Sequence, residues 1–179
     1  PSGAKRQVMM LALREWHAVS PAKPERILLP KGAPFGKVEV KAEGCTLCLA
    51  CVSACPVSAL SANPESPELR FQEDLCVQCG LCQSTCPEKV ISLSPQLDFT
   101  AINAAPVTLK QEEPYACDNC GTLFGTKSTI ERIKGKLAGQ HWMFSGANAD
   151  RLKVIGYCDT CRIEAATLEE LHHPNIVKC

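Results

Sequence analysis

Two stretches of this chain carry one pattern. Residues 43–61 read EGCTLCLACVSACPVSALS and residues 74–92 read DLCVQCGLCQSTCPEKVIS, so C-x2-C-x2-C-x3-C-P occurs twice at an offset of 31 residues. The cysteines are Cys45, Cys48, Cys51 and Cys55, then Cys76, Cys79, Cys82 and Cys86, with Pro56 and Pro87 directly after each run. Thiols this dense are either paired by oxidation or bound to metal. Oxidation needs an export route, and the only leader-like stretch, AKRQVMMLALREW, has an apolar run of six residues that Arg14 and Glu15 interrupt. That run is too short for a secretory core, and no stretch approaches the 18 apolar residues of a membrane span. The sequence therefore predicts metal-bound cysteines in a reducing, cytoplasmic setting, with a disulfide framework as the competing reading. Aromatic residues make up only 5% of the chain, so metal rather than a large apolar core is expected to staple the fold. The chain opens on Pro1 rather than Met, and is expected to be a processed chain or a piece of a longer one.

Three thiolates spaced by two residues can wrap one cubane of iron and sulfide, but the same tight loop does not easily reach the fourth iron. A remote cysteine must complete the set. In the bacterial two-cluster run, the fourth cysteine of each motif ligates the other cluster. Residues 37–95 thus resemble the bacterial-type 2[4Fe-4S] dicluster ferredoxin family. The resemblance implies that Cys45, Cys48, Cys51 and Cys86 hold one [4Fe-4S] cluster and that Cys76, Cys79, Cys82 and Cys55 hold the other. It implies electron transfer as the task, since clusters with four protein ligands keep no vacant iron for a substrate. The competing readings are a purely structural cluster pair and eight cysteines holding zinc.

The repeat extends past the cysteines. Shifting by 31 residues lays KVEV (37–40) on ELRF (68–71), each with strand-like alternation, Val38 and Val40 matching Leu69 and Phe71. Each half is expected to run strand, cysteine loop, short helix after the proline, and return strand, two halves making one pseudo-twofold unit. Ala50 and Gly80 are small enough to let N–H groups approach the sulfurs. Leu47, Leu49, Val52, Val77 and Leu81 are expected to exclude water.

The amino-terminal segment 1–36 reads as an amphipathic helix over 2–19, with Ser2 as a cap and Val8, Leu11, Leu13, Trp16 and Val19 at approximately helical spacing, followed by a Pro-rich linker. Its apolar face is expected to pack either on its own chain or on a partner. A second linker is expected over 96–114.

Residues 115–179 hold Cys117, Cys120, Cys158 and Cys161, a C-x2-C pair on either side of a long insert. Four thiolates closing a tetrahedron suit one structural zinc ion, so a zinc-ribbon-like domain with a helical insert is expected. A further iron centre and a redox dithiol pair remain open alternatives. Within the insert, GTKSTIERIKGKLAGQ predicts a helix with a capping box from Ser128 to Glu131 and a stop at Gly139. His141, Trp142, Met143 and Phe144 are expected to pack beneath the metal knuckles, and His172, His173 and Cys179 to sit in a polar tail. The two-cluster run followed by this tail, with FGTKSTIERI, is also similar to the carboxy-terminal part of bacterial cytoplasmic iron-sulfur proteins associated with formate dehydrogenase-type oxidoreductases.

The expected fold class is α+β: a pseudo-twofold ferredoxin-like domain plus the small four-cysteine domain. Net charge is zero, with six Lys or Arg against two Glu in residues 1–36 and four basic against seven acidic residues in 37–95. No segment is basic enough to announce nucleic acid, although zinc knuckles beside Lys127, Arg132, Lys134 and Lys136 keep a nucleic-acid reading as a minor alternative. No G-x-G-x-x-G, P-loop or nucleophile constellation appears. The expected function is electron transfer as a carrier domain or subunit serving a cytoplasmic oxidoreductase, with redox proteins as partners and no substrate turnover in this chain. The alternative is the electron-entry portion of a larger iron-sulfur enzyme.

Overall fold

A computed structural model of the chain describes residues 3–140 and 142–172. His141, His173 and Cys179 lie outside the described residues, as do Ser2 and the side chain of His172. The chain divides into two compact units at Gln111/Glu112. Helices and small sheets are mixed throughout, as an α+β chain requires.

The first unit runs α1 (Gly3–Val19), β1 (Arg26–Leu28), β2 (Gly36–Val40), α2 (Ala50–Ser53), β3 (Leu60–Ala62), β4 (Glu68–Phe71), α3 (Leu81–Thr85), β5 (Ile91–Asp98) and β6 (Val107–Gln111). Its strands form two antiparallel three-stranded sheets, ordered β1-β5-β2 and β3-β4-β6. The pairing crosses between the repeats. The opening strand of the first half, β2, pairs with the return strand of the second, β5, with Val38 opposite Leu93 and Val40 opposite Ile91. The return strand of the first half, β3, pairs with the opening strand of the second, β4, with Leu60 opposite Phe71.

Strand alternation sends Val38, Leu60, Leu69, Phe71 and Ile91 into one shared core, each no more than 6% exposed. Neither half has enough apolar surface to bury alone, so the two sheets close over each other's side chains. Edge strands come from segments expected as linkers. β1 joins β5 beside an Arg26–Asp98 ion pair at 3.0 Å, and β6 joins β4. The 96–114 segment therefore contributes to both sheets instead of only connecting two domains.

Glu68 anchors β6. Its buried carboxylate accepts bonds from Arg70, from the Thr108 hydroxyl of β6 and, at 2.9 Å, from Asn63 Nδ2. These donors, Arg70 first, hold the carboxyl down to about 2.

α1 packs on its own unit, with only Leu13 of the predicted stripe on its inward face. Arg6 and Met10 are buried, Leu13 and His17 are half-buried, and the His17 ring stacks on Phe99 with centroids 3.9 Å apart. Those four positions recur at helical spacing and make the inward face. Val8, Leu11, Trp16 and Val19 lie on the outward side, with Trp16 73% exposed. Nothing local in the sequence indicates that a buried arginine would find carbonyl partners.

In the second unit, β7 (Pro114–Ala116) and β8 (Leu123–Thr126) form a hairpin, followed by α4 (Lys127–Leu137), a long 3-10 stretch over Gly146–Gly156 and α5 (Asp159–His172). α4 begins earlier than the predicted capping box. Thr126 is the N-cap, its Oγ1 accepting from the Thr129 N–H at 3.2 Å, and Ser128 Oγ instead donates to Glu112 at 2.7 Å. Beyond the helix, Gly139 takes φ 70°, the left-handed turn expected at a C-terminal stop. Trp142 is 72% exposed. The residues packed against the cysteine cluster are Phe124 and Tyr157, so the predicted apolar support of 141–144 is supplied from β8 and from the turn before Cys158.

Candidate metal centres

The short helices sit inside the cysteine motifs, between the second and fourth cysteines, and not after the prolines as predicted. α2 carries Cys51 and α3 carries Cys82, and each is preceded by a left-handed residue, Leu49 (φ 58°) and Gly80 (φ 81°). Left-handed conformations recur at the 31-residue offset throughout: Leu47 and Gln78 (φ 52° and 54°), then Ser58 and Lys89 (φ 52° at both). The matching dihedrals show that the two loops share one backbone path despite different side chains. Each path winds N–H groups toward sulfur. The Leu47 N–H supports Cys45, the Gln78 N–H supports Cys76, the Gln83 N–H supports Cys82, and Gln78 Nε2 lies 3.4 Å from Cys76 Sγ.

The eight cysteines divide between two cavities. One is lined by Cys45, Cys48, Cys51 and Cys86, and closed by Leu47 and Ile91. The other is lined by Cys76, Cys79, Cys82 and Cys55, and closed by Val38 and Phe71. Each cavity thus takes three cysteines from one motif and the fourth from the other. Cys48 and Cys79 are exposed, whereas Cys51, Cys76 and Cys82 are buried. Leu81, expected to exclude water, is 46% exposed at the edge of its loop.

Burial pushes the Cys51 and Cys82 thiols up to about 11 each, with neighbouring cysteines adding to the effect. Such groups are neutral thiols near pH 7 until a metal displaces their protons, so loading releases acid.

Cys117, Cys120, Cys158 and Cys161 form a different kind of site, with all four sulfurs within 4.8 Å of one another. The first pair sits in the hairpin knuckle, where the Cys117 N–H donates to Thr122 O at 2.9 Å. The second pair opens α5, so it occupies a helix start and not a second β-knuckle. Cys120 and Cys158 sulfurs are 3.6 Å apart. Thiolates at about 2.3 Å around one tetrahedral ion would stand roughly 3.8 Å apart, so the set fits a single ion. Burial opposes ionisation at Cys117, yet the N–H groups of Cys120, Cys158 and Asn119 more than offset it and bring the thiol to about 6. Asn119 Nδ2 supports Cys161 Sγ at 3.3 Å.

Among the described residues, no other set of three or more potential ligands is gathered this closely. No three of the eight cysteines around the two cavities meet that mutual distance. Residues 44–90 match the family model for a 4Fe-4S dicluster domain.

That span begins just before Cys45 and closes after Cys86 and Pro87, so it takes in both motifs. It supports the ferredoxin-like reading of this segment and, with it, iron-sulfur binding. No match to a curated protein accompanies it. Among the described residues, no helix is long and apolar enough to cross a membrane.

Proposed function

We propose that this chain is an electron-transfer module with two [4Fe-4S] clusters, acting as a carrier domain or subunit for an oxidoreductase in the cytoplasm. The observation that carries the proposal is the composition of the two cavities, each drawing three cysteines from one motif and one from the other. On this reading Cys45, Cys48, Cys51 and Cys86 hold one cluster, and Cys76, Cys79, Cys82 and Cys55 hold the other.

When bound, the clusters supply reversible one-electron storage. The chain supplies the environment. Leu47, Phe71 and Ile91 keep water from the inner faces, N–H groups offset thiolate charge, and exposed Cys48 and Cys79 mark where each centre comes nearest to solvent and to a docking redox protein. Four cysteines per cluster leave no position for a substrate, so turnover belongs to the partner.

Cys117, Cys120, Cys158 and Cys161 are proposed to hold one structural zinc ion, a site closed by four thiolates with no open position for catalysis. The sulfur spacing supports a single ion.

Anaerobic loading followed by iron, sulfide and zinc analysis tests both parts. The expected result is about eight irons with matching sulfide, one zinc, and a brown colour that bleaches on reduction by dithionite. A colourless sample without reducible paramagnetic signals would overturn the electron-transfer reading. No zinc, together with more than eight irons, would overturn the zinc assignment. Purification from the native cell then identifies the partner by its co-elution.

A further inference from the structure

The two cysteine loops share a backbone path, but the charges set against them differ. Each loop is introduced by a 3-10 turn, Ala42–Gly44 in the first half and Glu73–Leu75 in the second. Each turn receives a cation from outside the 44–90 segment. In the first half Lys110 on β6 donates to Ala42 O at 2.6 Å from a half-buried position. In the second half the cation is Arg6 on α1, only 5% exposed. Its Nε donates to Asp74 O at 2.6 Å, its Nη2 to Cys76 O and its Nη1 to Pro34 O at 3.1 Å, and the guanidinium lies over the Phe35 ring at 5.0 Å.

A guanidinium keeps its proton across the whole working pH range. Three carbonyl dipoles and an aromatic face stabilise it here in place of water. The opposing charges are Cys76 and the buried Asp74, whose Oδ2 accepts from the Asn103 N–H at 3.2 Å. Charge held in a poorly solvated place acts over a longer range than charge on a solvated lysine, because salt and water screen it less. Adding an electron to an anionic centre is easier beside such a cation. The backbone carbonyl that Arg6 grips belongs to Cys76 itself, so the same contact fixes a ligand and biases its electron affinity.

We infer that Arg6 is a positioning residue which raises the reduction potential of the centre held by Cys76, Cys79, Cys82 and Cys55 above that of its twin. This rests on the two-cluster reading of the preceding section. A single electron from a one-electron donor then resides mainly on the Cys76 side, with no bond or proton moved. The α1 helix, which lies outside the matched segment, thus gives direction to a nearly symmetric pair.

An anaerobic redox titration of the loaded full chain, reduced stepwise with dithionite and followed by electron paramagnetic resonance, tests this. Wild type is expected to show two distinct midpoints. In Arg6→Gln the upper midpoint is expected to fall, making reduction of that centre about tenfold less favourable, equivalent to roughly 59 mV for one electron, while the lower one holds. Arg6→Lys, which restores charge, is expected to recover most of the shift, and Lys110→Gln to move the lower midpoint instead. The sign separates charge from mere scaffolding. If Arg6 only pinned α1, its loss would admit water and raise the midpoint, because water favours the more negative state. Two equal midpoints in wild type, an upward or absent shift in Arg6→Gln, or equal shifts of both centres would overturn the inference. Should Arg6→Gln not fold, Arg6→Lys carries the test: a midpoint within about threefold of wild type in equilibrium terms supports a charge effect, and a larger displacement overturns it. A sample with no clusters at all would be recognised by its iron count, and would instead overturn the reading beneath.

Discussion

Leu49 and Gly80 occupy the same place in the two loops, both left-handed, each directly before a short helix that carries a cysteine. One is the residue least strained in that conformation, and the other pays about 1–2 kcal/mol for it. The Leu49 side chain packs against the core. A Cβ on Gly80 would meet only Leu93 Cδ1, at 3.9 Å. Gly80→Ala is therefore expected to fold and load normally, while losing about 1 kcal/mol to backbone strain. Gly36 offers the contrast, since a Cβ there would collide with Ser94 O and come within 2.7 Å of Gln78 Cδ. Gly36→Ala is expected to lose at least about 2 kcal/mol. Thermal unfolding of the two variants side by side checks the ranking.

The crossed cysteines make a prediction about double variants. Cys55→Ser combined with Cys76→Ser strikes one cavity twice, and is expected to leave about four irons per chain. Cys55→Ser combined with Cys45→Ser strikes both cavities and is expected to leave close to none. Iron counting after anaerobic loading decides between this and uncrossed ligation, which reverses the two outcomes.

Glu68 gives a pH dependence with a defined sign. Its folded carboxyl lies near 2 against an ordinary value of 4.5, so the charged form is favoured by folding. The resulting stability is fully present above about pH 4.5 and is lost as pH falls toward 2. The stability difference between wild type and Glu68→Gln is expected to be constant from pH 7 to 5 and to shrink below 4.5. Denaturant unfolding across that range measures it, and a difference that grows on acidification contradicts the assignment.

Thr126 caps α4, and Thr126→Ala removes the acceptor for the Thr129 N–H. The expected loss is about 1 kcal/mol, read as earlier melting of the second unit with its metal content unchanged. Ser128→Ala, at the cap read from sequence, is expected to leave the helix start intact.

The parts legible in the sequence were those written at short range. The cysteine motifs and the alternation of Val38 with Val40 and of Leu69 with Phe71 placed the cavities' walls and the β2 and β4 strands. Edge strands were not legible, because β1 and β6 sit in Pro- and Lys-containing stretches whose pairing depends on a distant partner. The short helices start before the prolines, not after them, because the left-handed turns at Leu49 and Gly80 initiate them, and a leucine gives no warning of such a turn. Arg6 carries no local signal either: its carbonyl partners are remote in the chain, and an arginine on a helix ordinarily faces water.

The pairing of β2 with β5 has a consequence for biosynthesis. A ribosome releases the first motif well before Cys86, and the strand that must lie beside β2 emerges later still. A chain halted midway owns neither a complete sheet nor a complete set of sulfurs. The wall of the first cavity is complete in sequence only once Cys86 has been added, and the β5 strand that pairs with β2 only once Asp98 has.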